Sequence, residues 1–255
     1  MSRIFITGSA DGLGLAAARA LMSEGHEVVL HARSTKRASA LADLVPRSAG
    51  LVVGDLSSAS ETRSIADQVN KIGRMDAVIH NAGIYLVRDR GETPEGHATV
   101  LAVNTLAPFI LTALIEQPDR LIYLSSGMHR GARSSLQDID WVERRWDPST
   151  AYSESKLYLT AFALGIARRW RGVLSNAVDP GWVPTKMGGP GATDDLALGH
   201  VTQSWLAVSN EAAAKVSGGY WHHRKQQKPA AEALDSGFQD RVLARLVELT
   251  GISLA

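Results

Sequence analysis

The stretch Phe5–Leu21, FITGSADGLGLAAARAL, sets three glycines, Gly8, Gly12 and Gly14, between a short apolar run and a segment with helical spacing. Glycine takes backbone angles closed to other residues and lets another molecule come close to the main chain. Three glycines so close together point to a site rather than an ordinary turn. A strand that turns here into a helix leaves backbone N–H groups free and aims the positive end of the helix at the turn, which suits a pyrophosphate. The order T-G-x-x-x-G-x-G is not the G-x-G-x-x-G of the common dinucleotide fingerprint. Taken alone, it also fits a glycine-rich helix entry that holds no ligand.

Outward from this turn, apolar runs bounded by turn residues recur at Ile4–Ile6, Val28–Leu30, Leu51–Val53, Ala77–Ile79, Leu121–Leu124 and Leu174–Val178, with helical patterns between most of them. A final strand is expected near Gly219–Trp221. Continuous apolar strands alternating with helices predict an α/β fold, a doubly wound parallel sheet in a Rossmann-type three-layer α/β/α arrangement. With 255 residues, 45% of them apolar, and neither repeats nor a visible linker, the whole chain, 1–255, is expected to form one domain. Ligands of such folds bind beyond the carboxyl ends of the strands. There the sequence collects GDLSS (54–58), HNAG (80–83), LSSG (124–127) and DPGWVPT (179–185).

Composition excludes several classes. A net charge of +1 with scattered basic residues gives no footprint for nucleic acid. The absence of cysteine removes disulfides, thiolate metal sites and a cysteine nucleophile. The histidines show no ligand spacing, His222 and His223 being adjacent, so no metal is expected. MSRIFITG enters a strand without a signal-peptide core, and no apolar run is long enough to span a bilayer, so a cytoplasmic protein without membrane insertion is expected.

The second signal is AYSESK (151–156), which places Tyr152 and Lys156 one helical turn apart. A neighbouring ammonium favours phenolate and is expected to lower the tyrosine pKa towards the range of a working proton donor. Together these motifs resemble the short-chain dehydrogenase/reductase family over almost the whole chain. N-A-G stands at Asn81, Ala82 and Gly83, an asparagine at Asn104 in VNTLAPF, a serine in YLSSG, and P-G with a following threonine at Pro180, Gly181 and Thr185.

The resemblance implies a catalytic set of Asn104, Ser126, Tyr152 and Lys156. Tyr152 would protonate a carbonyl oxygen as hydride arrives from a nicotinamide, and Ser126, rather than Ser125, would hold the same oxygen. Lys156 would tune Tyr152 and bind the nicotinamide ribose, and Asn104 would position a water. It further implies that Gly8, Ser9, Asp11, Gly12, Leu13 and Gly14 cradle the cofactor. Asp55 and Leu56 would meet the adenine, Asn81, Ala82 and Gly83 would line the adenine-ribose side, and Pro180, Gly181, Val183 and Thr185 would anchor the nicotinamide end. Asp55 is equally readable as a turn cap and Asn81 as a satisfied strand end.

The segment 127–151 between Ser126 and Tyr152 is longer than the family's commonest pattern and resembles the retinol dehydrogenase and protochlorophyllide reductase branch. Trp141 and Trp146 are expected to pack it against the body, and its Arg and Asp residues to form a solvated face. LIEQPDRLIYL (114–124) is a short connection to which no function attaches. Tyr85, Met128, His129, Trp182 and Met187 are candidates for a mostly apolar pocket, with 188–205 as a mobile lid.

In VVLHARS (28–34) the position where an acid would bind a ribose 2′-hydroxyl is Ala32, followed by Arg33, whose guanidinium suits a 2′-phosphate. NADP(H) is therefore expected in preference to NAD(H), although Asp11 puts an acid where many NADP(H) users carry a base. The expected reaction is reduction of a ketone or aldehyde, or oxidation of the alcohol, on an apolar small molecule. Reduction of a carbon–carbon double bond is an alternative, weakened by the missing cysteine. A cofactor-binding sensor without turnover is the other. Self-association into a homodimer or homotetramer is expected through the helix before Leu121 and the helix carrying Tyr152.

Overall fold

The computed structural model describes residues 1–254. In chain order its elements are β1 (Arg3–Ile6), α1 (Gly12–Ser23), β2 (Glu27–Ala32), α2 (Thr35–Ala38), β3 (Gly50–Val53), α3 (Ala59–Ile72) and β4 (Ala77–His80). Then come α4 (Thr99–Leu101), a π-helical turn (Ala102–Leu106), α5 (Ala107–Leu114), β5 (Arg120–Leu124), α6 (Pro148–Arg169) and β6 (Leu174–Asp179). The chain ends with α7 (Val201–Val208), β7 (Tyr220–His222), β8 (Lys225–Gln227), α8 (Ala231–Leu234) and α9 (Ser236–Thr250). Helix starts follow from side-chain caps: Asp11 on α1, Ser58 on α3, Asp147 ahead of Pro148 on α6, and Asp235 on α9. Gly251, at φ 67°, closes α9 in the left-handed conformation.

The eight strands form one sheet in the order β3-β2-β1-β4-β5-β6-β7-β8, parallel except for β8. Alternate residues of each strand feed two cores. Phe5, Val29, Val78, Tyr123, Ala177 and Tyr220 pack beneath α3, α5, α6 and α9, while Ile4, Leu30, Ile79, Ile122 and Val178 pack beneath α1 and α7. Both faces are buried, which is why the strands read as continuous apolar runs. Strand order reverses between β1 and β4, and the glycine turn lies at that switch point. The antiparallel β8 has no apolar pattern and was outside the expectation. It follows a two-residue turn at His223 and Arg224, both at positive φ, and all its residues are exposed.

Two expectations change. In segment 127–151 the solvated face holds for Arg130, Arg133, Arg145 and Asp147 but not for the rest: Asp138 is buried, accepting from the N–H groups of Val142, Glu143 and Arg144 and from the Arg144 guanidinium. Arg144 also makes a two-pronged pair with Glu154 of α6 at 2.8 and 3.0 Å. Asp140 accepts from His97 and from the Ala98 N–H. Sequence alone could not show that these charges have partners on distant elements.

The expected self-association surface is also closed. Every residue of α6 from Ala151 to Ile166 is buried, because α8 and α9 cover the side that the sheet and α5 leave open. A helix covered on all sides offers no face to a second copy. Light scattering should therefore give a monomer near 27.3 kDa. A stable dimer that survives dilution would show that another surface associates.

Candidate active site

The glycine turn is shaped by what presses on it. Gly8 and Gly12 have φ of 66° and 52°, where only glycine is relaxed. Gly14 lies inside α1, and a Cβ there would sit 2.4 Å from Asn81 Nδ2 and 2.5 Å from the Gly8 carbonyl. Asn81 Nδ2 donates to the Thr7 carbonyl (2.9 Å) and the Ala82 N–H to Thr7 Oγ1 (3.0 Å), joining the ends of β1 and β4. His31, which the sequence reading passed over, is buried beneath the turn. Its Nδ1 accepts from the Gly8 N–H (2.8 Å), so Nε2 donates to the Gly54 carbonyl (2.9 Å), and burial lowers its pKa. A lone polar residue inside the apolar run of β2 was the signal.

The other expected cofactor residues divide. Ser9 is fully buried with its hydroxyl on the backbone of His31, so its side chain supports the turn from within. Asp11 caps Gly12 and accepts from Arg37 (2.9 Å) and Lys186 (2.6 Å). The Lys186 hydrogen bond is the main cause holding the Asp11 carboxyl down to about 2. Its acid charge, which argued against a 2′-phosphate, is thus met by two cations. Arg33 is exposed and has no carboxylate partner among the described residues. Asp55 closes a turn onto the Ser57 N–H and hydroxyl, and Leu56 is buried in the core. Leu13 packs close to Gly199, and Thr185 lies about a methyl contact from Gly12, so the loop after β6 rests on the turn. In that loop Val183 is buried, Gly181 turns at φ 86° after Pro180, and Thr185 Oγ1 accepts from the Gly188 N–H (3.2 Å).

At the far end of this groove α6 and β5 bring the reactive side chains together. Tyr152 is 7% exposed and lies beside Ser126, whereas Ser125 is buried against Thr160 (2.7 Å). Lys156 Nζ lies 5.7 Å from the Tyr152 ring centroid and donates to the Leu124 carbonyl (2.7 Å). A Cβ on Gly83 would fall 3.3 Å from both Lys156 Nζ and Asn104 Oδ1, so N-A-G closes over them.

The expected lowering of the Tyr152 pKa is not what its surroundings produce. Burial pushes the phenol up to about 12, with the nearby Asp179 carboxylate adding to it and the Ser126 hydroxyl opposing, and burial pushes Lys156 down to about 7. Desolvation disfavours the charged form of each. Asn104 Oδ1 accepts from the Ile84 N–H (2.8 Å), and Nδ2 donates to the Ile84 carbonyl and to Ser155 Oγ (3.0 Å each). Both amide hydrogens are in use, so the side chain ties the 84 loop to Ser155 of α6.

The model of the short chain dehydrogenase family matches residues 2–121. Short-chain dehydrogenase chyC of Penicillium rubens is 41% identical over 100% of this chain and 99% of its own length. The chain belongs to the short-chain dehydrogenase family. Retinol dehydrogenase 13 of Homo sapiens is 30% identical, over 98% of this chain and 84% of that protein. An uncharacterized protein of Mycobacterium Paratuberculosis has a crystal structure with TM-score 0.86 at 27% identity, covering 100% of this chain and 95% of that one.

The dehydrogenase surrounds Tyr152 with apolar side chains. Tyr85 meets it edge to face at 4.6 Å, and Val100, Ala151, Trp141 and Met128 complete the cluster. Trp182 and Met187 instead face solvent, and His129 is buried, its ring nitrogens bonded to the Ser126 carbonyl and the Ala230 N–H. Asp179, one residue before P-G, was missed as a charge facing Tyr152. It accepts from the Gly181 N–H and from Tyr220 Oη, 3.1 Å each. Among the described residues no cluster could hold a metal and no helix could cross a membrane.

The state of Lys156 is measurable. Its pKa falls from an ordinary 10.5 to about 7 on folding, so between those values the unfolded chain holds more protons and this residue makes stability rise with pH. Lys156→Met removes that contribution. In urea unfolding from about pH 6 to about pH 9, its stability should climb less steeply than the parent's. Equal slopes would mean that Lys156 titrates like an exposed lysine.

Proposed function

We propose that this dehydrogenase interconverts a ketone or aldehyde and the corresponding alcohol with NADP(H), Tyr152 moving the proton. The carrying observation is a buried phenol, its pKa raised by burial, beside a serine at the end of a groove that starts in a bare glycine turn. A bound nicotinamide supplies hydride to the carbonyl carbon or takes it from the alcohol.

The residues present suit such a group. The cradle at Gly8 and Gly14 has no room for a Cβ, Arg33 is free, and Lys156 uses one protein acceptor, leaving hydrogens for a ribose hydroxyl. Ser126 orients the substrate oxygen by hydrogen bonding. Tyr152 donates its proton to that oxygen as negative charge develops there, which needs an acid that is still protonated at neutral pH. Lys156 holds the ribose and, when charged, steadies the phenolate left after Tyr152 has given up its proton. Its position under N-A-G fixes it against Asn104. The name of the retinol dehydrogenase relative supports alcohol–carbonyl chemistry on an apolar molecule.

Two outcomes test this reading. Tyr152→Phe should lose carbonyl reduction, followed by nicotinamide absorbance over a panel of ketones and aldehydes, while NADPH affinity stays near the parent's. Turnover at the parent rate would remove Tyr152 as the acid, and binding without turnover by the parent on every carbonyl would favour a sensor. Arg33→Ala should weaken NADPH far more than NADH, by roughly tenfold to a hundredfold for a charge-assisted pair of about 1.5–3 kcal/mol. Equal parental kcat/KM for the two cofactors would show that Arg33 does not read a 2′-phosphate.

A further inference from the structure

Asp179, the last residue of β6, is a carboxylate at the reactive end of the groove that neither gives nor takes the proton carried by Tyr152. Its Oδ1 accepts from the Gly181 N–H and its Oδ2 from Tyr220 Oη, 3.1 Å each. A carboxylate has about four acceptor positions, so it can accept further hydrogen bonds. Among the described residues no Lys, Arg or His side chain forms an ion pair with it. Arg130 is close by, but its guanidinium lies over the Tyr220 ring at 4.9 Å and donates to the Lys228 carbonyl and the Gln227 side chain. A partly buried carboxylate without a cation is costly unless donors reach it.

This carboxylate borders the place where a carbonyl oxygen would be held. Gly127 follows Ser126, and a Cβ there would fall 3.0 Å from Asp179 Oδ2, so the missing side chain lets the carboxylate press against the backbone next to the serine. Ser126, Gly127, Asp179, Pro180 and Gly181 are all half-buried and open to a ligand, whereas Tyr220 is 1% exposed. Burial raises the Tyr152 phenol and the Asp179 charge adds to it, which puts the carboxylate in the electrostatic surroundings of that hydroxyl as well.

We propose that Asp179 is a specificity-determining residue, whose carboxylate accepts a hydrogen bond from a hydroxyl group next to the reacting carbonyl and turns away carboxylate-bearing ketones. The inference rests on the oxidoreductase reading above. A charged acceptor in a site rewards a substrate that brings a donor, and a substrate without one leaves that acceptor desolvated and unpaired. A keto acid brings a like charge into the same poorly screened space. The selected class is hydroxy ketones, or the diols that match them.

The test uses phenacyl alcohol, its methyl ether, acetophenone and phenylglyoxylate, which differ only beside the carbonyl, with the intact protein and NADPH. The parent should favour phenacyl alcohol over the ether, and acetophenone over phenylglyoxylate, each by about tenfold or more in kcat/KM. Asp179→Asn, which keeps an acceptor for the Gly181 N–H, should lower each ratio about tenfold. An effect of the lost charge on Tyr152 acts on all four ketones and cancels in the ratios. Gly127→Ala, which sets a methyl 3.0 Å from Oδ2, should lower the alcohol-to-ether ratio while phenylglyoxylate stays disfavoured, because the charge remains. Thermal melts check folding, and if Asp179→Asn does not fold, the parental ratios and Gly127→Ala decide. Parental ratios near one, or ratios that the variants leave unchanged, overturn the proposal. Calorimetric titration of phenacyl alcohol and the ether into the NADP⁺-loaded protein separates the two readings. If the parent reduces none of the ketones yet binds phenacyl alcohol more tightly, by a margin that Asp179→Asn removes, the oxidoreductase reading fails and recognition by Asp179 stands. Equal binding of the two without turnover overturns both.

Discussion

The contact on which the molecule depends is the meeting of Gly14 with the Asn81 amide and the Gly8 carbonyl. Because residue 14 has no side chain, α1 begins within touching distance of the end of β4, and the two strands at the sheet's switch point share one short stretch of backbone. Asn81 reaches across to the Thr7 carbonyl and His31 supports Gly8 from below. The groove is therefore a place where strand ends are held by side chains pointing inward, and it opens over bare backbone. Recognition by such a surface depends on shape and dipole more than on any one charge.

A second constraint is burial of α6. The same dry environment that raises the Tyr152 phenol lowers the Lys156 ammonium, so two groups of similar ordinary proton affinity are driven apart, each towards its neutral form. Asp179 resists loss of the phenolic proton, and a charged ligand bound nearby changes that balance more than it would in water. The site is poised by exclusion of solvent rather than by a ready-made ion pair.

The fold was legible because its signals are local. Buried strands are continuous apolar runs, helix starts carry Asp or Ser caps, and the glycine turn needs positive φ at Gly8 and Gly12. Of the candidate reactive set, Tyr152 and Lys156 stood out by their spacing of one helical turn, while Ser126 and Asn104 came only from the family resemblance. What escaped depends on contacts between distant parts of the chain. Ser9 turns inward because His31 waits there, Arg144 is seated by a glutamate on another element, and the side of α6 is closed by a helix that starts some seventy residues after its own lies down. Alternation could not reveal β8, whose residues are all exposed.

The way α9 covers α6 also has a meaning in time. A ribosome delivers the chain from its N-terminus, so the sheet, the glycine turn and the helix bearing Tyr152 emerge while residues 236–250 are still in the tunnel. Until those residues arrive, Phe162, Ile166 and their neighbours have no cover on one side. The emerging chain thus carries an open apolar flank on the helix that bears Tyr152, and α9 is what closes it.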